Sequence, residues 1–97
     1  MQRTEAIAAL KRVEPQARAT GIAALFLFGS TARDEATAKS DIDVFVDLVP
    51  GSVPGFGFIG LKREIERVVG VPCDLTTRTA LHPVTAADIQ SEAIRIF

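Results

Sequence analysis

The chain has a single cysteine, Cys73. One thiol cannot close an intramolecular disulfide, which fits a reducing, cytoplasmic setting. There is also a single histidine, His82, and no cluster of His and Cys at zinc-ligand spacing. An excess of either charge is missing: 11 Lys and Arg face 12 Asp and Glu, for a net charge of −1. A protein that grips RNA or DNA through bulk positive charge is therefore not expected. No apolar run is long enough to span a membrane. The first residues, MQRTEAIAALKR, lack the apolar core of a signal peptide, so a cytoplasmic protein with no membrane association is expected. Internal repeats and low-complexity tracts are absent. What remains is 97 residues, 47 % hydrophobic and 24 % charged, an ordinary globular balance. One domain over residues 1–97 is expected, burying roughly two-thirds of its unfolded surface.

Patterning supplies the elements. Ile7, Leu10 and Val13 recur at helical spacing, predicting a helix over 2–13. Pro15 suits the first turn of a second short helix that runs to about Thr20 and stops at Gly21. Ile22 to Phe28 is a continuous apolar run of strand length, ended by Gly29-Ser30. Residues 31–39 read as a helical turn and loop, and Ile42 to Leu48 as a second strand. PGSVPG, 50–55, reads as a loop. Leu61, Ile65 and Val68 share one face of a helix over 59–69, with Gly70 as its C-cap. Val71 to Thr76 is a third strand, with Pro72 marking an edge or a strand start. A last helix over 84–93 and a short strand over 94–97 complete the chain. The expected class is α/β (α+β): a small mixed sheet with helices packed on it.

The chemistry lies in FLFGSTARDEATAKSDIDVFV, residues 26–46. Alternate side chains of a strand share a face, so Asp41 and Asp43 project together while Ile42 points into the core. Left alone, two such carboxylates repel, and one tends to keep its proton. Mg²⁺ removes the conflict, since it takes oxygen ligands and leaves positions for water and substrate phosphate. If the third strand pairs beside the second, Asp74 joins them, and three carboxylates on one sheet face can hold metals for a displacement at phosphorus. Gly29 permits close backbone approach. A helical turn after it offers N–H groups to phosphate, the Ser30 hydroxyl can donate to a phosphate oxygen, and Arg33 can add a charged contact.

Gly29-Ser30, ten residues, then Asp41-x-Asp43, with Ala32-Arg33 inside and Ser40 before the aspartates, resembles the nucleotidyltransferase superfamily of DNA polymerase beta. The chain's small size is similar to that of the minimal nucleotidyltransferases of prokaryotes. The resemblance runs from the helical start through LFLFGS, SDID, the Leu61–Val69 helix and PCDL to SEAIRIF. It implies the polymerase beta-like fold, Mg²⁺ on Asp41, Asp43 and Asp74, Asp74 near the attacking hydroxyl, and Gly29 and Ser30 on the nucleotide phosphates. It also implies a partner: such chains commonly accompany a HEPN ribonuclease toxin, acting as antitoxin by moving AMP from ATP to a tyrosine of the toxin, in a hetero-oligomer. In one place the pattern departs. The family usually has glycine after the motif arginine; this chain has Asp34, a carboxylate that would repel ATP unless it faces away.

Plainer readings compete at several positions. Arg33 can instead be a surface arginine paired with Asp34 or Glu35. Cys73 reads as a small core residue, and His82, before Pro83, as a surface one. Gly55-Phe-Gly57-Phe-Ile-Gly60 matches a dinucleotide fingerprint, but Pro50 and Pro54 separate it from the strand, and the chain is too short for two mononucleotide-binding halves. Asp41-x-Asp43 is no calcium loop, since Phe45 takes the next ligand position. The alternative to catalysis is a binding module that neutralises its partner by occlusion, with Phe56-Gly57-Phe58-Ile59 as an apolar contact patch.

Overall fold

In the computed structural model, residues 1–53 and 55–97 are described; Pro54, within the loop expected over 50–55, lies outside the described residues. The elements run α1 (Arg3–Lys11), α2 (Glu14–Ala19), β1 (Ile22–Phe28), α3 (Gly29–Ala32), β2 (Ile42–Leu48), α4 (Phe56–Val69), β3 (Cys73–Thr77), a 3₁₀ turn (Arg78–Ala80), α5 (Ala86–Glu92) and β4 (Ile94–Arg95). The fold is the expected mixed α+β one, and the order of elements follows the sequence pattern. Among the described residues no helix is long and apolar enough to cross a membrane.

The sheet order is β3-β2-β1-β4. β1 and β2 are antiparallel, with Phe28 opposite Asp43 at one end and Ile22 opposite Leu48 at the other. β2 and β3 are parallel, which needs a crossover, and α4 supplies it. β3 is an edge strand, in keeping with Pro72 just before it; the Ile42 N–H donates to the Pro72 carbonyl at 2.9 Å. β4 adds to the other side of β1, and its pairing carries on into the last residues, where the Leu25 N–H donates to the Phe97 carbonyl at 3.0 Å.

The two sheet faces differ. Leu25 and Leu27 of β1 and Ile42, Val44 and Val46 of β2 join Leu10 of α1 and Leu61 and Ile65 of α4 in the main core. Ile22 lies in the same core although simple alternation with Leu25 would send it to the other face. A register shift between Ile22 and Ala24 absorbs one residue and resets the phase. The other face carries Phe26, Phe28, Asp43, Phe45 and Asp47. Phe45 is fully buried there by its own satellite cluster, its ring stacked on Phe26 at 4.8 Å and tilted against Phe28 at 5.7 Å.

Several boundaries differ from the sequence reading: α1 is Arg3–Lys11 where 2–13 is expected, α5 Ala86–Glu92 where 84–93 is, and β4 Ile94–Arg95 where 94–97 is; three further differences have a physical reason in the structure. α3 starts at Gly29 itself, two residues before the expected turn. β3 begins at Cys73 and extends to Thr77, since Pro72 lacks the N–H a ladder needs. α4 starts three residues earlier than the expected 59, with the Phe58 and Ile59 N–H groups bonded to the Gly55 carbonyl. Gly57 and Gly60 conceal that first turn, because glycine is a poor helix former. Packing accounts for Gly57: a Cβ there would stand 2.8 Å from Thr20 Cγ2, where α2 ends. Gly57 therefore serves helix packing, in keeping with the rejection of a dinucleotide loop.

Candidate functional site

The site forms where β1 ends. Phe28 pairs with Asp43, and Gly29 then turns the chain at φ +77°. An L-residue pays for that conformation. A Cβ at Gly29 would also collide with Asp43 Oδ2. The glycine is thus required twice, once by the backbone and once by the carboxylate that leans over it. The single turn of α3 follows, closed by the Arg33 N–H on the Gly29 carbonyl at 3.1 Å and the Glu35 N–H on the Ser30 carbonyl at 2.8 Å. Thr31 and Ala32 are buried beneath the turn and anchor it, while Ser30 remains half-buried at its start.

Asp43 and Asp74 occupy directly paired positions of the parallel β2–β3 ladder, so their side chains share a face. Asp41 stands two residues before Asp43, just outside the strand, and is exposed, as is Asp74; Asp43 is half-buried. Partial burial raises the Asp43 pKa above the ordinary 3.8, the charges of Asp74 and Asp41 raise it further, and Arg33 opposes them. Ion pairs among the described residues join Arg18 to Glu14, Arg33 to Glu35 and Glu92, Arg67 to Glu64, and Arg78 to Asp47; none uses these three aspartates. Among the described residues no three His, Cys, Asp or Glu side chains are grouped so as to hold a metal ion between them. The three aspartates are neighbours rather than a finished ligand cage. That suits Mg²⁺, which is commonly held by one or two carboxylates and completes its shell with water and phosphate.

Arg33 sits beside this group but is engaged. Its Nε donates to Glu35 Oε2 at 3.2 Å, and its Nη1 to both carboxylate oxygens of Glu92 at 3.1 and 3.3 Å. The expected pairing with Glu35 is present; Asp34 is elsewhere. Asp34 has φ +60°, the left-handed conformation that explains a glycine preference at this position. Aspartate tolerates it better than most residues. Its Oδ1 accepts the Arg3 N–H at 3.2 Å, at the start of α1. The carboxylate thus turns to a free helix donor.

Cys73 is buried, and its backbone N–H donates to Glu66 Oε2 at 2.9 Å. Burial, then Glu66 and Asp74, push its thiol up to about 12, so it is no nucleophile at neutral pH. His82 is exposed, as expected.

A second cluster escaped sequence reasoning. Arg78 donates to Asp47 through Nε at 2.7 Å and Nη2 at 3.0 Å, and to Gln90 Oε1 through Nη1 at 2.7 Å. Its guanidinium lies 4.9 Å from the Phe26 ring centre and 5.0 Å from that of Phe45. It ties the 3₁₀ turn and α5 to the face that bears Asp43. Arg78 and Asp47 are 31 residues apart, and no local pattern announces their meeting.

A mixed sheet with a Gly-Ser turn beneath paired aspartates is the scaffold of a nucleotidyl-transfer domain. Comparison with known proteins agrees: the nucleotidyltransferase domain family matches residues 8–96, and the chain belongs to it. It is 32 % identical over 77 residues to a Methanocaldococcus jannaschii protein named "Putative protein adenylyltransferase", covering 77 % of each chain. A solved structure described as a "putative minimal nucleotidyltransferase" superposes with TM-score 0.80 at 29 % identity, covering 97 % of this chain and 95 % of that one. A chain of a "toxin-antitoxin with AMP-PNP" has the same fold, with TM-score 0.72 at 17 % identity, over 91 % of this chain and 72 % of that one.

Proposed function

We propose that this chain transfers AMP from Mg·ATP to a protein hydroxyl, and that the acceptor is a tyrosine of a HEPN ribonuclease toxin which it neutralises in the cytoplasm. The observation that carries the reading is the Asp43–Asp74 pair at matched ladder positions, with the Asp43 carboxylate over Gly29. A neighbour named for protein adenylyl transfer and a similar fold in a toxin–antitoxin structure with an ATP analogue support it.

In this reading Asp41 and Asp43 hold Mg²⁺, with Asp74 beside them. The ion, when bound, neutralises phosphate charge and polarises the phosphoryl group. Gly29 and Ser30 receive the phosphates, the glycine letting them approach the backbone closely, and Arg33 adds a charged contact. Asp74, the outer member of the pair, takes the acceptor's hydroxyl proton. The hydroxyl oxygen bonds to the α-phosphorus, the bridging bond to the β-phosphate breaks, and pyrophosphate leaves.

Calorimetry with Mg²⁺ and a non-hydrolysable ATP analogue tests the site. The wild-type chain is expected to bind, and D41N/D43N to bind far more weakly at unchanged fold. Equal binding by the two proteins would remove the aspartates from the site. A second reading, neutralisation by occlusion, draws on the start of α4, where Phe56 is 93 % exposed, Ile59 50 % and neighbouring Val53 80 %. Such a patch suits a protein partner. Asp34 adds nothing to this second reading, because its carboxylate is engaged at Arg3.

A further inference from the structure

We infer that Glu92 is a positioning residue for nucleotide binding: from the end of α5 it holds the Arg33 guanidinium toward the phosphate turn. The inference rests on the nucleotidyltransferase reading above, in which Arg33 meets the nucleotide phosphates.

Arg33 follows the one-turn helix α3, and its long side chain is free to sample many rotamers unless something holds it. Two carboxylates do. Glu35 accepts from Nε at 3.2 Å, and Glu92 accepts from Nη1 through both oxygens, at 3.1 and 3.3 Å. The described contacts engage Nε and Nη1, which leaves the two N–H groups of Nη2 for an incoming anion. The two holders are unequal. The Glu35 side chain is 65 % exposed and that of Glu92 29 %. Glu92 also hangs from a firmer support: α5 packs against β1 and α3, and β4, two residues on, pairs with β1. Arg33 ends α3, the turn whose Gly29 lies against the Asp43 carboxylate, so the residue that Glu92 holds belongs to the turn that borders the aspartates. Fixing it in advance lowers the ordering cost that nucleotide binding would otherwise meet.

Electrostatics alone would give the opposite sign, because a carboxylate near a triphosphate repels it. Glu92→Gln removes the charge and keeps an acceptor for Nη1. Glu92→Ala removes both. The two variants therefore separate holding from repulsion.

The test is calorimetry with Mg²⁺ and a non-hydrolysable ATP analogue on the full chain, with thermal unfolding of every variant. E92A is expected to raise the Kd about three- to tenfold, the range for ordering one long side chain on binding. E92Q is expected to bind like the wild type, and E92A to add nothing in an R33A background. If E92A fails to fold, Glu92→Asp, which keeps the charge and shortens the reach, takes its place with the same expected weakening. Tighter binding by both E92A and E92Q would overturn the inference in favour of repulsion. A lower Tm with unchanged analogue affinity would overturn it in favour of a strut. Binding weakened in R33A and intact in E92A would defeat the positioning role alone. No binding by the wild-type chain would defeat the nucleotidyltransferase reading and this inference together.

Discussion

Replacing Asp43 with Asn should make the chain more stable at neutral pH while disabling it. Asp43 pairs directly with Asp74 across two strands, stands two residues from Asp41, and is half-buried. Burial first, then Asp74 and Asp41, raise its pKa in the folded chain above 3.8. An acid whose folded pKa is raised supports the fold when protonated, and loses that support as pH rises through the folded value. The Asn variant never ionises, so the gap between variant and wild type should be closed below about pH 3.8, widen as pH rises through the raised value, and level off above it. Like charges at paired strand positions cost roughly 0.2–1 kcal/mol, and solvent screening keeps a half-exposed pair within that range. With Asp41 and burial added, about 1 kcal/mol at pH 7.5 is a fair expectation. At a urea m-value of roughly 1–3 kcal/mol/M, the midpoint should rise by about 0.3–1 M. Urea titrations of both proteins at pH 7.5 and pH 3.5, without divalent ions, read this directly. A variant less stable than the wild type at pH 7.5, or a gap independent of pH, would refute the electrostatic argument.

Other expectations follow from the same structure. Gly57→Ala should gain about 1 kcal/mol of helix propensity yet lose roughly 1–3 kcal/mol to the clash with Thr20; Thr20→Ser removes the opposing methyl, so the double variant should melt higher than G57A alone. Arg78→Ala should cost about 1–2 kcal/mol in urea, from the lost Asp47 fork and the ring contacts, and Lys in its place should recover less than half because it cannot present the same planar fork. Cys73, with its thiol pushed up to about 12 and buried, should resist a thiol reagent at pH 8 in the native chain and react at once in denaturant.

Much of this architecture is legible in the sequence because local signals and tertiary needs agree. The run Ile22–Phe28 and the alternation Asp41-Ile42-Asp43 set two strands and a carboxylate face, and the structure places Asp74 beside them as the parallel pairing requires. The first turn of α4 was hidden because Gly57 is chosen for contact with Thr20, a distant residue, against its own helix propensity. In the sequence Asp34 reads as a threat to ATP because it follows the Gly29-Ser30 turn closely; only the fold brings Arg3 to it. Arg78 with Asp47, and Arg33 with Glu92, are long-range pairs of common charged residues, which no spacing rule could have linked.

The central claim is adenylyl transfer to a partner protein, and intact mass spectrometry tests it most directly. The product of the neighbouring gene, the proposed toxin partner, would be expressed alone, with the wild-type chain, and with D41N/D43N. A mass increase in AMP units that requires the wild-type aspartates is the predicted result, with peptide mapping to a tyrosine. A toxin of unchanged mass that still co-purifies with the wild-type chain would contradict the account and leave a binding protein on a nucleotidyltransferase fold.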